Sequence, residues 1–241
     1  MGCVQTKSTT TTTTPSSFST PTTIRGVIFD YSEVLWLHSR NTHLYRLIEK
    51  DMGLDEGSIM ETLSSDIFYN VIPPDCTDNF LTGSFTAVEL DQLFTNAYNK
   101  KNNTDLSFFP LYSHQKYDNE VVYEEIALNA CNRLRENGVY TILLMNTFHV
   151  DYSRQGRKIK ALNPYFDFVI ESCVEGFRKP DPQIFKIVMK KTGLRPKELV
   201  MLDDEHTNCE TAASLGIHTI QVNNTMDAIE DLEQLVGLEL L

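Results

Sequence analysis

Gly26-Val27-Ile28-Phe29-Asp30 is an apolar run that ends on a carboxylate. An uninterrupted apolar stretch of this length reads as a strand buried on both faces. The aspartate then falls where the strand stops and a loop begins. Open α/β sheets bind ligands at the carboxyl ends of their strands. The same design recurs at Val200-Met201-Leu202-Asp203-Asp204. Between the two, Arg178-Lys179-Pro180-Asp181-Pro182 places a cation just ahead of a helix start. A carboxylate able to act as a nucleophile, a lysine and an acidic pair together suit phosphoryl transfer.

Outward from these stretches, strands and helices alternate. Val139–Met145, Phe168–Glu171, Val200–Asp204 and Ile217–Val222 read as strands. Helices are expected over 151–162, from Pro182 to Gly193, over 206–215 and from Thr225 onward. Asp181 is the expected cap of the second of these, with Pro182 at its first position. Repeated βα units imply a doubly wound parallel sheet with helices on both faces. Residues 38–118 interrupt that pattern with helical sequence. Leu44, Leu47 and Ile48 have helical spacing, a helix is expected over 55–69, and Thr86 with Glu89 forms a capping box. A stripe of Val122, Ile126, Ala130 and Leu134 predicts a helix over 119–137. The domain reading is therefore a core of residues 24–37 and 119–241, with 38–118 inserted as a helical cap.

The motifs together resemble the haloacid dehalogenase-like superfamily. Ile28-Phe29-Asp30-Tyr31-Ser32-Glu33-Val34-Leu35 is similar to its first motif, and Leu143-Leu144-Met145-Asn146-Thr147 to its second. Arg178-Lys179-Pro180-Asp181-Pro182 is similar to the third, and Leu202-Asp203-Asp204-Glu205-His206-Thr207-Asn208 to the fourth. The long insert resembles the helical cap of the subgroup that contains the phosphatase domain of soluble epoxide hydrolase. The resemblance implies a capped Rossmann-like core and Mg²⁺-dependent hydrolysis of a small phosphorylated substrate. It makes Asp30 the nucleophile, Lys179 its catalytic and phosphate-binding cation, and Asn146 a further phosphate contact. It assigns the metal to Asp30, Asp203, Asp204 and the main-chain carbonyl of Ser32, and gives Asn208 a supporting place.

Each residue also has a plainer reading. Asp30 could cap a loop. Asp203 and Asp204 could be an acidic cluster at a helix N-terminus, and Lys179 a solvated loop lysine. Two positions depart from the resemblance. Ser32 stands where it implies an aspartate that protonates the leaving group and activates water; a serine hydroxyl is a poor acid or base near neutral pH. Met145 stands where it implies a hydroxyl that holds a phosphate oxygen, and a thioether cannot donate a hydrogen bond. Met145 reads instead as a flexible core filler, with Thr147 as a displaced substitute. Two function classes follow: a phosphatase with weakened motifs, or a catalytically degenerate module that binds a phosphorylated ligand or protein. Dehalogenation on the same nucleophile is a third, smaller alternative.

The histidines show no metal spacing, and His149 reads as a surface-loop residue. Cys173 and Cys209 read as small buried residues, while Tyr31, Trp36 and Leu37 are expected at the cap hinge. The five cysteines, at 3, 76, 131, 173 and 209, are odd in number and lack ligand spacing, which suits a reducing compartment. A net charge of −12 argues against nucleic acid as a partner. No apolar stretch is long enough to cross a bilayer, and no secretory block is present.

The first residues read as an address. Met1-Gly2-Cys3-Val4-Gln5-Thr6-Lys7 fits N-myristoylation at Gly2, with Cys3 beside it for palmitoylation. These seven residues resemble the dual-acylation start of Src-family kinases. One acyl chain anchors only marginally and two anchor well. A chance match on an unstructured tail is the plain alternative. Residues 8–23 are nearly all Ser, Thr and Pro and read as a tether, spanning roughly 25 Å as a coil of about 18 residues. The expected location is the cytosolic face of a membrane.

Overall fold

The computed structural model describes residues 23–41, 43–71, 80–113, 118–156 and 159–241. Gly2, Cys3 and all but the last residue of the tether lie outside them, as does Cys76. Among the described residues no helix is long and apolar enough to cross a membrane.

Five parallel strands form one sheet in the order β3-β2-β1-β4-β5: β1 Gly26–Phe29, β2 Tyr140–Met145, β3 Phe168–Glu171, β4 Leu199–Asp203 and β5 His218–Gln221. The central strand β1 is the point where the order reverses, because the chain runs outward to β3 and then returns to β4 on the other side. Phe29 pairs with Leu143 of β2 and with Leu202 of β4. Asp30 extends the ladder by one bond, its N–H donating to the Leu202 carbonyl at 2.9 Å. The register thus brings the ends of β1 and β4 side by side at the topological switch.

Side chains alternate across the sheet. Val27, Phe29, Leu143, Met145, Val200 and Leu202 pack on one face. Ile28, Ile142, Leu144 and Met201 pack on the other, against Ile184, Phe185 and Val188. Burial on both faces is why these strands read as unbroken apolar runs. Gly26 permits close packing here: a Cβ at that position would lie 2.7 Å from the Leu194 side chain.

Residues between the first strand and Tyr123 build a separate apolar cluster around Ile48, Ile59, Phe94, Tyr98 and Phe109. Its helices are α1 His38–Asn41, α2 His43–Met52, α3 Ser58–Leu63, α4 Asp66–Val71 and α5 Ala87–Asn102. The capping box is present: the Thr86 hydroxyl accepts from the Glu89 N–H, and the Glu89 carboxylate accepts from the Thr86 N–H at 2.7 Å. Such a cap stabilises a helix by about 1 kcal/mol. The two connections to the sheet run together. Trp36 bridges Tyr123, and the Glu124 N–H donates to the Leu35 carbonyl at 2.8 Å.

Three helix expectations are corrected. The helix expected over 55–69 is two helices, broken at Ser64 and Ser65, whose hydroxyls bond back to the Met60 and Thr62 carbonyls. Such back-bonding competes with helix continuation. The helix expected over 119–137 is α6 Glu125–Glu136, and Val122 lies outside it, exposed. The described part of 151–162 is loop followed by a 3₁₀ turn, Lys160–Tyr165, with Pro164 inside it. That loop carries long-range contacts to the cap which its own sequence does not announce.

Candidate active site

Asp30 is only 7% exposed, just past the end of β1. Lys179 reaches it from the loop between α7 Ser172–Glu175 and α8 Pro182–Thr192. The lysine is 1% exposed, so its solvation is replaced by the protein. Its Nζ donates to Asp30 Oδ1 at 2.5 Å and to Asp203 Oδ2 at 2.7 Å. Burial alone would lower the Lys179 pKa; the two carboxylates overcome that and hold it above its ordinary value. Burial pushes Asp30 up to about 6, aided by the like charge of Asp203 and opposed by Lys179.

Asp203 ends β4 and is fully buried. Its second oxygen, Oδ1, accepts from the Glu205 N–H and from Asn208 Nδ2, both at 2.9 Å. Asn208 lies in the first turn of α9 His206–Ser214, so the supporting place implied for it is occupied by a direct bond to Asp203. Asp204 is half-buried, and burial followed by the neighbouring Asp203 raises its pKa.

Carboxylate oxygens of Asp30, Asp203 and Asp204 lie within 4.8 Å of one another. Three carboxylates face one ammonium, which leaves excess negative charge among hard oxygen donors. That donor set fits a hard divalent cation such as Mg²⁺.

Asn146 is paired with the main chain of Lys179. Its Nδ2 donates to the Lys179 carbonyl at 3.0 Å, and its Oδ1 accepts from the Lys179 N–H at 2.8 Å. These two bonds make its side chain a positioning group for the lysine. Met145 is 1% exposed and packs in the apolar cluster on one face of the sheet. Thr147 is held through its backbone, its N–H donating to Ser172 Oγ at 2.9 Å. Ser32 is exposed, and its main chain bridges Trp36 in the loop after Asp30. Tyr31 stacks on Trp36 with ring centroids 6.2 Å apart.

His149 is not a surface residue: it is 4% exposed. Its Nδ1 accepts from the Gly156 N–H at 3.0 Å, which leaves the other ring nitrogen to carry the proton. Its carbonyl accepts from the Ala87 N–H at 2.7 Å, at the start of α5 in the cap. Phe148 stacks on Phe80 with centroids 4.4 Å apart, and Arg154 donates to the carbonyls of Gly83 and Ser84. One loop after β2 therefore holds Lys179 at its start and the cap along its length. Asn146, Phe148 and Arg154 escaped sequence reading in these roles because their partners are distant in the chain.

A sequence model of the haloacid dehalogenase-like hydrolases matches residues 24–216. The chain belongs to that family. The mouse bifunctional epoxide hydrolase 2 is 26% identical over 226 residues, covering 90% of this chain and 39% of that protein. The mouse acyl-CoA dehydrogenase family member 10 is 37% identical over 135 residues, 56% of this chain and 12% of its own length. The chain thus spans well under half of these curated relatives. Among solved structures, a haloacid dehalogenase family enzyme of Bacteroides thetaiotaomicron superposes with a TM-score of 0.52 and 23% identity, covering 82% of this chain and 93% of its own. It was crystallised with magnesium and inorganic phosphate. That likeness is one of fold.

Proposed function

We propose that this haloacid dehalogenase-like hydrolase is a Mg²⁺-dependent phosphatase of a small phosphomonoester, working with a reduced set of proton-transfer groups. The observation that carries the reading is Lys179 bridging Asp30 and Asp203, with Asp204 beside them. Asp30 would attack phosphorus, because a carboxylate nucleophile divides one hard displacement into two easier ones. Lys179 orients that carboxylate and offers positive charge to the transferring group. Asn146 and Asn208 keep the lysine and Asp203 in place. Asp30, Asp203 and Asp204 would hold the metal, which supplies charge neutralisation at the phosphoryl oxygens when bound. The Bacteroides neighbour with its magnesium and phosphate is in keeping with this reading. A screen of purified protein against diverse phosphomonoesters, with Mg²⁺ and with Asp30→Asn as the blank, tests it. Hydrolysis that needs both Mg²⁺ and Asp30 is expected; equal rates in the blank would overturn it.

Ser32 and Met145 favour a second reading, in which the domain binds a phosphorylated ligand or protein without turning it over. Tight, Mg²⁺-dependent phosphate binding with no hydrolysis of any ester would favour that reading over the first.

The amino-terminal pattern supports a location. Gly2 is myristoylated and Cys3 palmitoylated in this proposal, tethering the domain to the cytosolic face of a membrane. Gly2→Ala should release the protein to the soluble fraction, and Cys3→Ser should weaken retention. Wild-type protein that incorporates no myristate analogue and fractionates as soluble would refute it.

A further inference from the structure

His149 joins three parts of the chain that are far apart in sequence. It lies in the loop after β2 and is buried. Toward its own loop, Nδ1 accepts from the Gly156 N–H at 3.0 Å. Toward the core, Nε2 carries the proton and donates to the Cys173 carbonyl in α7. Toward the cap, the His149 main-chain carbonyl accepts from the Ala87 N–H at 2.7 Å, beside a bridge to Thr86. Cap backbone also lies directly on the ring. A Cβ at Gly83 would stand 2.3 Å from the Cys173 oxygen and 2.9 Å from His149 Nε2.

The loop is held in this shape by its bonds rather than by its own preference. Arg154 takes left-handed backbone, φ 53°, which residues with a β-carbon rarely adopt. From there its guanidinium donates to the carbonyls of Gly83 and Ser84 in the cap. Gly156, φ 75°, packs so closely on Glu171 that a Cβ would lie 2.4 Å from the carboxylate.

Only a neutral imidazole satisfies both ring nitrogens as they stand. Protonation puts a hydrogen on Nδ1, where the Gly156 N–H already points. Two donors then face each other, and a buried donor without an acceptor is costly. Among the described residues the charges around the ring are mixed. Burial first, then Arg154 of the same loop, oppose a proton; Glu171 of β3 and Asp151 of the loop favour one. The opposing influences prevail and hold the ring's pKa below 6.5. Cys173 stays a thiol, pushed up to about 12 by burial and then by Glu171. In the cap segment packed here, the Glu89 carboxylate is turned to Thr86.

We propose that His149 is a proton-released latch: neutral, it clamps the cap to the end of the sheet that carries Asp30 and Lys179; protonated, it gives up the Gly156 bond and loosens the cap segment 83–87. The latch works whether or not the site turns a substrate over. The start of the loop stays pinned, because Asn146 pairs with the Lys179 main chain and the Thr147 N–H with Ser172. Release is therefore confined to the cap side. The closed form binds a proton less readily than the open form, whose imidazole has its ordinary pKa of about 6.5. The latch is fully set above pH 6.5 and is lost progressively as pH falls below it.

The test is hydrogen exchange of the full chain from about pH 8 down to about pH 5, the range over which histidine changes charge, corrected for intrinsic amide rates. Protection of the Gly156 and Ala87 amides should hold above pH 6.5 and fall below it, by up to about tenfold per unit, the slope of a single proton. Amides of β1 and of the middle of α5 should keep their protection, which separates a released latch from unfolding of the core or the cap. His149→Asn keeps an acceptor near the Nδ1 position and cannot titrate, so protection at both amides should be lower but flat. Wild-type protection that stays flat below pH 6.5, or a fall that persists in His149→Asn, would overturn the latch. If that variant does not fold, NMR of the wild-type ring decides. An Nε2–H tautomer at neutral pH and a His149 pKa below 6.5 are expected; an Nδ1–H tautomer, or a pKa at or above 6.5, would overturn it.

Discussion

The loops after β1 and β2 differ in kind from those after β3 and β4. On the β3 and β4 side, Lys179, Asp203 and Asn208 are joined by bonds of 2.7 and 2.9 Å, all buried. On the β1 and β2 side, Asp30 keeps its place, but its followers are an exposed serine, a glutamate on left-handed backbone and a buried methionine. The first side arranges charge and the second would move protons. A site can keep the one and lose the other, because electrostatic positioning and acid–base transfer depend on different atoms.

The largest expected effect breaks the charged side. Lys179→Met leaves Asp30 and Asp203 buried without their cation. Removing one partner of a buried ion pair costs about 3–5 kcal/mol, and urea unfolding of metal-free protein should show a loss of that order. Adding Asp30→Asn should recover part of it, since one unpaired charge goes with it. A loss under about 1 kcal/mol would mean that the lysine is not what holds this side together.

The next effect repairs the other side. Ser32→Asp should raise steady-state phosphomonoester hydrolysis by about 10² or more. Met145→Thr should act less on rate, and it also places a hydroxyl in a packed apolar cluster, so it should lower stability. Unchanged turnover in folded Ser32→Asp protein would show that proton transfer is not the limit.

Asn146→Ala should be smaller again, about 1–3 kcal/mol, because it leaves the Lys179 N–H without its partner and the Lys179 carbonyl with only the Arg178 guanidinium. Hydrogen exchange should quicken at the Lys179 amide while the amides of β5 keep their protection. Unaltered exchange at Lys179 would contradict the positioning role.

The fold was legible because its signals are local. Apolar runs that end in Asp30 and Asp203 mark buried strands, and Asp181 with Pro182 marks a helix start that the structure bears out. The four motif segments gather at one end of the sheet because parallel strands put all their carboxyl ends there. The cap connections were not legible. His149 looks like a loop histidine until Ala87, from a distant segment, donates to its carbonyl. Asn146 follows a strand as a polar residue should, and only the Lys179 main chain reveals its use. The segment 151–162 reads as helix from composition, yet Arg154 is drawn to carbonyls of the cap.

The smallest effects are read by pH, at two groups of the β1 and β2 side whose shifts are opposite in sign. The folded pKa of Asp30, about 6, exceeds its ordinary 3.8. The folded state therefore binds the extra proton, so this group's penalty is absent below pH about 4 and grows as pH rises through 6. His149 is opposite in sign. Burial, then Arg154, lowers its pKa below 6.5, with Glu171 and Asp151 opposing. Its contribution is complete above 6.5 and is lost as acid protonates the unfolded chain first. In metal-free protein, Asp30→Asn should make stability fall more steeply below pH 6.5, and His149→Gln should flatten that fall. Variants that leave the urea midpoint's pH profile unchanged would show that neither group is linked to folding.

The claim that the charged side survives intact is tested most directly by the melting temperature of the metal-free protein titrated with Mg²⁺. Ligand bound to the native state alone stabilises by about 2.7 kcal/mol at a hundredfold excess over Kd. The account predicts a saturable rise in wild type at millimolar Mg²⁺, and none in Asp203→Asn. A wild-type melting temperature indifferent to Mg²⁺, or a rise that persists in Asp203→Asn, would contradict it.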